Sequence, residues 1–493
     1  MGRPNILLIV CDQLRADALS CYGNTFVRTP AIGSLGRDGT VFESAYTPSP
    51  VCVPARACLI TGNEPRTNGC FDNGYPMPAT DTFMSLLSGA GYRTHGVGKM
   101  HFTPDARDHR GFETRDHGEE FGSAETDDYL AFLADAGYGY VESPHGLRDE
   151  MYYIPQLSPV PEELHFSHWV ADRSIDFLDN APRDRPFLLW SSFIAPHPPF
   201  APPSPWHRLY EPSLLPGPFE PSDGDGLLTA YDRLQARYKY RDGGRDRRLW
   251  QLIRAYYFAS VSFVDEQVGR ILDALERTGR RADTIVVFTA DHGEFLGDYG
   301  TFGKRSFLDV AARVPLIVSG PGFGPERRTD LASLTDLAPT FLCAATVDSR
   351  QLDGLPLQDG HPGRTLYGQF QEGPLGLYAV IGERWKYVWS APDGREYLVD
   401  RRTDPGETRN LAYNPRVRAV LLEHRERARE HFADLAGTDF DAASTNAGNP
   451  LGAPPSERGL WALRAVGLDS EASTIVVRPG GWPDAPEGYR DKD

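Results

Sequence analysis

Short runs of apolar residues, each bounded by polar or charged positions, recur along the chain at Ile6–Cys11, Arg93–Val97, Phe187–Phe193, Thr284–Thr289 and Pro315–Ser319. Runs of this length without polar alternation predict strands buried on both faces. Helical patterns lie between them. The clearest includes Val264, Val268, Ile271, Leu272 and Leu275, which share one helical face, and it ends near Gly279. This alternation predicts an α/β domain built on a large, mostly parallel sheet flanked by helices. In such a sheet the loops at the carboxyl ends of the strands converge on one crevice. Asp12 directly follows the first run and Asp291-His292 the fourth, so residues far apart in sequence are expected to meet there.

Beyond residue 366 the pattern changes to the strand-like runs Tyr378–Gly382, Trp385–Trp389 and Tyr397–Val399. The turn Thr403-Asp404-Pro405-Gly406 and a helical stretch to about Phe432 follow, which predicts a small antiparallel sheet plus a helix. Residues 103–165 and 198–245 are rich in Pro, Gly and charge and are expected as long loops around the crevice mouth. Pro-Gly punctuation without periodicity marks the last stretch as an extended arm. The expected division is a main domain over 1–365, a C-terminal subdomain over 366–445 and an arm over 446–493.

At 493 residues, with 40% hydrophobic and 24% charged residues, the chain can bury a large core. Its net charge of −17 argues against nucleic acid or an anionic membrane as partner, because both need a basic surface. An anionic ligand must then be drawn by a local cationic pocket. The six cysteines, at 11, 21, 52, 58, 70 and 343, are too sparse for a disulfide scaffold. The apolar run Ile6–Cys11 is short for a signal peptide and far short of a membrane span. A cytoplasmic protein with reduced thiols is expected, and homo-oligomer formation stays open.

Cys52-Val53-Pro54-Ala55-Arg56, followed by Thr61-Gly62, puts a thiol, a proline and a fixed cation within one short stretch. Proline is favoured at a helix start, so Cys52 is expected just ahead of a helix whose free N–H groups attract anions. Alone, the stretch fits a small buried cysteine equally well. It has company in Asp12-Gln13, Gly98-Lys99-Met100-His101, Pro196-His197-Pro198, Asp291-His292-Gly293 and Lys304 ahead of Arg313-Val314-Pro315. In this order and spacing the chain, from about Asn5 to about Asn410, resembles the formylglycine-dependent sulfatases of the alkaline phosphatase superfamily.

The resemblance implies a sulfuric ester hydrolase acting on a small organic sulfate. It also implies that a separate formylglycine-generating enzyme oxidises Cys52 to formylglycine, whose hydrate attacks through one hydroxyl and expels sulfate through the other. Asp12, Asp291, His292 and the modified Cys52 match the family's metal shell, with Gln13 as a further ligand or a substrate contact. Oxygen ligands suit one divalent ion, Ca, Mg or Mn. Arg56, Lys99 and His101 match residues that hold the hydrate, while His197 and Lys304 match those touching the sulfate and the leaving oxygen. Asn73 is a weaker candidate for substrate contact, and His168 is expected to cap a helix or pack.

Two departures bear on this expectation. Many sulfatases carry Asp-Asp where this chain has Asp12-Gln13, and Asp-Asn where it has Asp291-His292. The variant resembles choline sulfatases, phosphonate monoester hydrolases and a broad set of bacterial sulfatases, and it favours Mn or Mg over Ca. A phosphonate monoester or phosphate diester hydrolase with the same nucleophile is therefore the alternative. A two-zinc phosphodiesterase or mutase would normally use Ser or Thr with a fuller Asp/His set, and a non-catalytic relative would require damaged site residues.

Overall fold

The computed structural model describes residues 2–148, 151–238, 246–349 and 351–440. Eight strands form the main sheet: β1 (Asn5–Asp12), β2 (Thr40–Tyr46), β3 (Arg93–Gly98), β4 (Thr114–His117), β5 (Phe187–Pro196), β6 (Thr284–Ala290), β7 (Leu316–Ser319) and β8 (Glu326–Ser333). Their order is β4-β3-β5-β1-β6-β7-β2-β8. Only β7 runs against its neighbours; every other pairing is parallel. The five expected runs correspond to β1, β3, β5, β6 and β7, while β2, β4 and β8 come from stretches without a strong apolar run.

β1 lies at the centre, and every residue from Ile6 to Asp12 is fully buried between β5 and β6 and the helices on either face. Burying each such Ile or Leu contributes about 1.5–3 kcal/mol. The long helix Arg247–Arg277 carries the expected apolar face, with Val264, Val268, Ile271 and Leu275 all buried. The helix Phe166–Asn180 packs on it and on β5. His165, and not His168, caps that helix: its Nδ1 accepts the Ser167 N–H at 3.1 Å. His168 instead pairs with Asp172 one turn on.

The two expected loop regions contain more order than their sequence suggests. The first holds β4 and the helix Asp128–Asp135, and the second the helix Ala230–Tyr238.

A second sheet, antiparallel, follows the main one: β9 (Leu366–Phe370), β10 (Leu377–Ile381), β11 (Trp385–Ser390) and β12 (Arg395–Asp400), in the order β12-β11-β10-β9. The helix Arg418–His431 covers it, tied down by the buried pair Arg425–Glu396 at 2.5 Å. The sheet reaches back to the main domain through Lys386. This fully buried side chain donates to the Phe307 carbonyl at 2.7 Å and to Asp309 at 2.6 Å, and it also pairs with Glu407. The expected arm and residues 441–445 lie outside the described residues.

At the end of β3 the chain makes a left-handed step at Gly98 (φ 84°), and a Cβ there would stand 2.2 Å from the Ser192 carbonyl oxygen. The step lets the Lys99 N–H donate to that carbonyl at 3.2 Å. Gly98→Ala should therefore lower the unfolding free energy by about 1–3 kcal/mol, the usual cost of a non-glycine residue in strained backbone. Urea denaturation measures this, and an unchanged midpoint would refute the requirement.

Candidate active site

Four adjacent parallel strands, β3, β5, β1 and β6, end at one edge of the sheet, and the next residue or the last of each is functional in type. β1 ends in Asp12, β3 leads into Lys99, β5 into His197 and β6 into Asp291-His292. The helix Cys52–Thr61 brings Cys52 and Arg56 to this edge. Cys52 is the helix's first residue, not the one ahead of it, and Pro54 stands two places further in. Asp12, Arg56, Lys99, Asp291 and His292 are fully buried, with Cys52, Lys304 and His197 nearly so.

Arg56 ties the carboxylates together. Its Nε donates to Asp291 at 3.0 Å and its Nη2 to Asp12 at 3.5 Å, while Nη1 donates to the Lys99 carbonyl at 2.8 Å and the Ser192 hydroxyl at 3.1 Å. Lys99 Nζ lies 2.6 Å from the same Asp12. Burial pushes the Asp12 carboxyl up and the neighbouring Lys99, His197 and Lys304 outweigh it, so its pKa lies well below the ordinary carboxylate range.

One ligand atom each from Asp12, Cys52, Asp291 and His292 fall within 4.8 Å of one another. That spacing suits a single cation with ligands at about 2.0–2.6 Å. The second shared property is availability. His292 Nδ1 donates to the Gly293 carbonyl at 3.0 Å, which leaves Nε2 with a lone pair facing Cys52 at 3.3 Å. Gln13 Oε1 is buried without a partner among the described residues. The donor set therefore fits a divalent ion.

Around Cys52, cations stand opposite the Asp12 and Asp291 carboxylates. Lys304 Nζ lies 2.7 Å from the Cys52 sulfur and 3.1 Å from His292 Nε2. His101 and His197 lie near the same thiol. Burial raises the thiol pKa, and Lys304, Lys99 and His292 outweigh it, holding the thiol well below its ordinary value. Burial alone would discharge Lys304, but the negative charges of Cys52 and Asp12 raise its pKa instead. His197 moves the other way: burial, with Lys304 and Lys99 nearby, holds it well below the usual imidazole value despite Asp12.

Asn73 is half-buried behind the helix start, where its amide oxygen accepts the Val53 N–H at 3.1 Å. The sequence reading missed several residues that hold the site in place. Glu119 accepts the N–H groups of Met100 and His101, both at 2.9 Å, and so fixes the left-handed turn at His101 (φ 53°). Glu120 pairs with both Lys99 and Arg148. Gln235 clamps the Lys304 backbone from both sides, accepting its N–H at 3.0 Å and donating to its carbonyl. Glu294 and Tyr153 grip the Gln13 side chain. Of these, only Glu294 carried a signal, its place directly after Asp291-His292-Gly293.

The Sulfatase family model matches residues 4–347. The chain is 30% identical to an arylsulfatase of Clostridium perfringens, over 88% of this chain and 96% of that protein. It is also 30% identical to a choline-sulfatase of Rhizobium meliloti, over 90% and 89% respectively. Among solved structures, a phosphonate monoester hydrolase of Agrobacterium radiobacter superposes with a TM-score of 0.73 at 26% identity, covering 86% of this chain and 94% of that one. With a crevice of this composition at the carboxyl ends of β1, β3, β5 and β6, the chain belongs to the sulfatase family, the sulfuric ester hydrolases of the alkaline phosphatase superfamily.

Proposed function

We propose that the chain hydrolyses a small organic sulfate monoester with residue 52 as nucleophile, after a separate maturation enzyme has converted Cys52 to formylglycine. The observation that carries this reading is the placement of Cys52 at a buried helix start, 2.7 Å from Lys304 Nζ and 3.3 Å from His292 Nε2. A neutral apolar pocket would suit a structural thiol; this one is lined for an anion. A reducing, cytoplasmic setting, as expected from the sparse cysteines of the sequence, goes with this reading.

Asp12, Gln13, Asp291, His292 and residue 52 would hold one divalent ion, Mn, Mg or Ca, which when bound neutralises charge on the sulfuryl oxygens. Arg56 holds the two carboxylates in place for this task, and Lys99 and His101 steady the hydrate of residue 52. The leaving oxygen needs a proton, and His197 and Lys304 are the two candidate donors. His197 Nδ1 donates to the Pro198 carbonyl at 2.7 Å, so the neutral ring presents an unprotonated Nε2 to the crevice. Lys304 keeps its charge and its proton. Lys304 is accordingly the acid in this proposal, and His197, with no proton on Nε2, can only accept a hydrogen bond there.

The Agrobacterium radiobacter structure favours a second reading, a phosphonate monoester hydrolase with the same nucleophile. The ratio of rates on an aryl sulfate and an aryl phenylphosphonate separates the two, and a preference for the phosphonate would overturn the first.

Peptide mass analysis of protein co-produced with an oxygen-dependent maturation enzyme should find Cys52 about 18 Da lighter, as the aldehyde. Cys52→Ala should then abolish turnover, and an active Cys52→Ala protein would remove residue 52 from the mechanism.

Lys304→Ala should slow sulfates of poorly acidic alcohols by about 10²–10⁴-fold while slowing nitrophenyl sulfate far less, because a nitrophenolate leaves without a proton. His197→Ala should lose a similar factor on every substrate. Rates across a series of leaving-group pKa values check both, and equal losses from Lys304→Ala along the series would make it a sulfate-binding cation.

A further inference from the structure

Glu294 is fully buried and takes no part in the chemistry above. Its Oε1 accepts the N–H groups of Leu296 at 2.9 Å and Gly303 at 2.6 Å. Its Oε2 accepts the Tyr153 hydroxyl at 3.0 Å and the Nε2 of Gln13, and that nitrogen also reaches the Tyr153 oxygen at 3.3 Å. A carboxylate can only accept, so Glu294 distinguishes the two ends of the Gln13 amide. It binds the nitrogen end and turns the oxygen end away. Gln13 Oε1 is left buried with no partner among the described residues, a costly arrangement unless a ligand meets it.

The backbone of Gln13 is fixed just as firmly. It adopts a left-handed conformation (φ 64°), its N–H donates to Asp291 Oδ1 at 3.0 Å, and its carbonyl accepts the Tyr257 hydroxyl at 3.0 Å.

We propose that Glu294 is a positioning residue for the metal site: by holding Gln13 Nε2 it sets the amide so that Oε1 completes the donor set of Asp12, Asp291, His292 and residue 52. The inference rests on the metal-bearing reading given above. Through Gly303 the same carboxylate is joined to the segment that carries Lys304, so metal and acid share one anchor.

Glu294→Gln preserves size and can still accept from Leu296 and Gly303, but its own NH2 would face Gln13 Nε2. The Gln13 amide must then turn over and point its NH2 at the cation. Metal-stripped protein titrated with Mn(II) in a calorimeter should show about 10–100-fold weaker binding in E294Q. In a Gln13→Ala background the same change should add nothing, because Glu294 then has no amide to orient. Wild-type Mn(II) affinity in E294Q, or additive losses from Q13A and E294Q, would overturn the proposal. Should E294Q fail to fold, Tyr153→Phe, which removes a shared partner of both residues, carries the same cycle with a few-fold effect expected only when Gln13 is present. A wild-type protein that binds no Mn(II) would overturn the metal-bearing reading along with this one. Protein that binds Mn(II), shows the predicted cycle and yet cleaves no sulfate ester would sink only the proposed substrate.

Discussion

Two carboxylates, those of Asp12 and Asp291, lie fully buried within reach of one cation, and the Arg56 guanidinium between them is what makes this tolerable. Removing each charge from water costs several kcal/mol, and two like charges side by side add to it. Arg56 offsets part of both costs by bonding both carboxylates, Lys99 adds a second cation at Asp12, and burial still holds the Asp291 carboxyl above its ordinary value. The planar fork of Arg56 reaches Asp291, Asp12, the Lys99 carbonyl and the Ser192 hydroxyl, which belong to or directly follow four different strands. A lysine has the charge but not the fork, so the geometry depends on arginine and not merely on a positive residue.

The site inverts the electrostatics of the chain that carries it. The protein as a whole bears a net charge of −17, yet Lys99, Lys304 and Arg56 crowd one crevice with His101, His197 and His292 beside them. Such a pocket draws an anion locally while the outer surface repels polyanions in general. The charged groups are affordable because β1, β5 and β6 are buried along nearly their whole length, so a rigid apolar sheet holds their backbones in place.

Strands β1, β3, β5, β6 and β7 were legible because each is a compact apolar run, and the crevice followed from where those runs stop. β2 was not, because Glu43 and Ser44 interrupt Thr40–Tyr46, and β8 was not, because as an edge strand it begins with the exposed Glu326 and Arg327. At the site, side chains adjacent to a strand end or inside the Cys-Val-Pro-Ala-Arg stretch could be named from sequence. Glu119, Gln235 and Tyr153 could not. They act through backbone groups or a neighbouring side chain, and their partners are brought near only by loops whose path has no periodicity to read. Cys52 itself was displaced by one place, since the helix begins on it and not after it.

The contact between Lys386 of β11 and the Phe307 carbonyl has a practical meaning for anyone dividing this chain. The family match stops at residue 347, and a shortened protein ending there would look complete by resemblance. It would nonetheless lack the ammonium that pairs with half-buried Asp309, two residues beyond Phe307, in the segment leading back to Lys304 that is pinned by its Phe307 and Gly303 backbone groups. The second sheet is thus the outer wall of the loop that carries Lys304. Swapping catalytic halves between relatives would carry that wall across only if the exchange included β9 to β12 and Glu407.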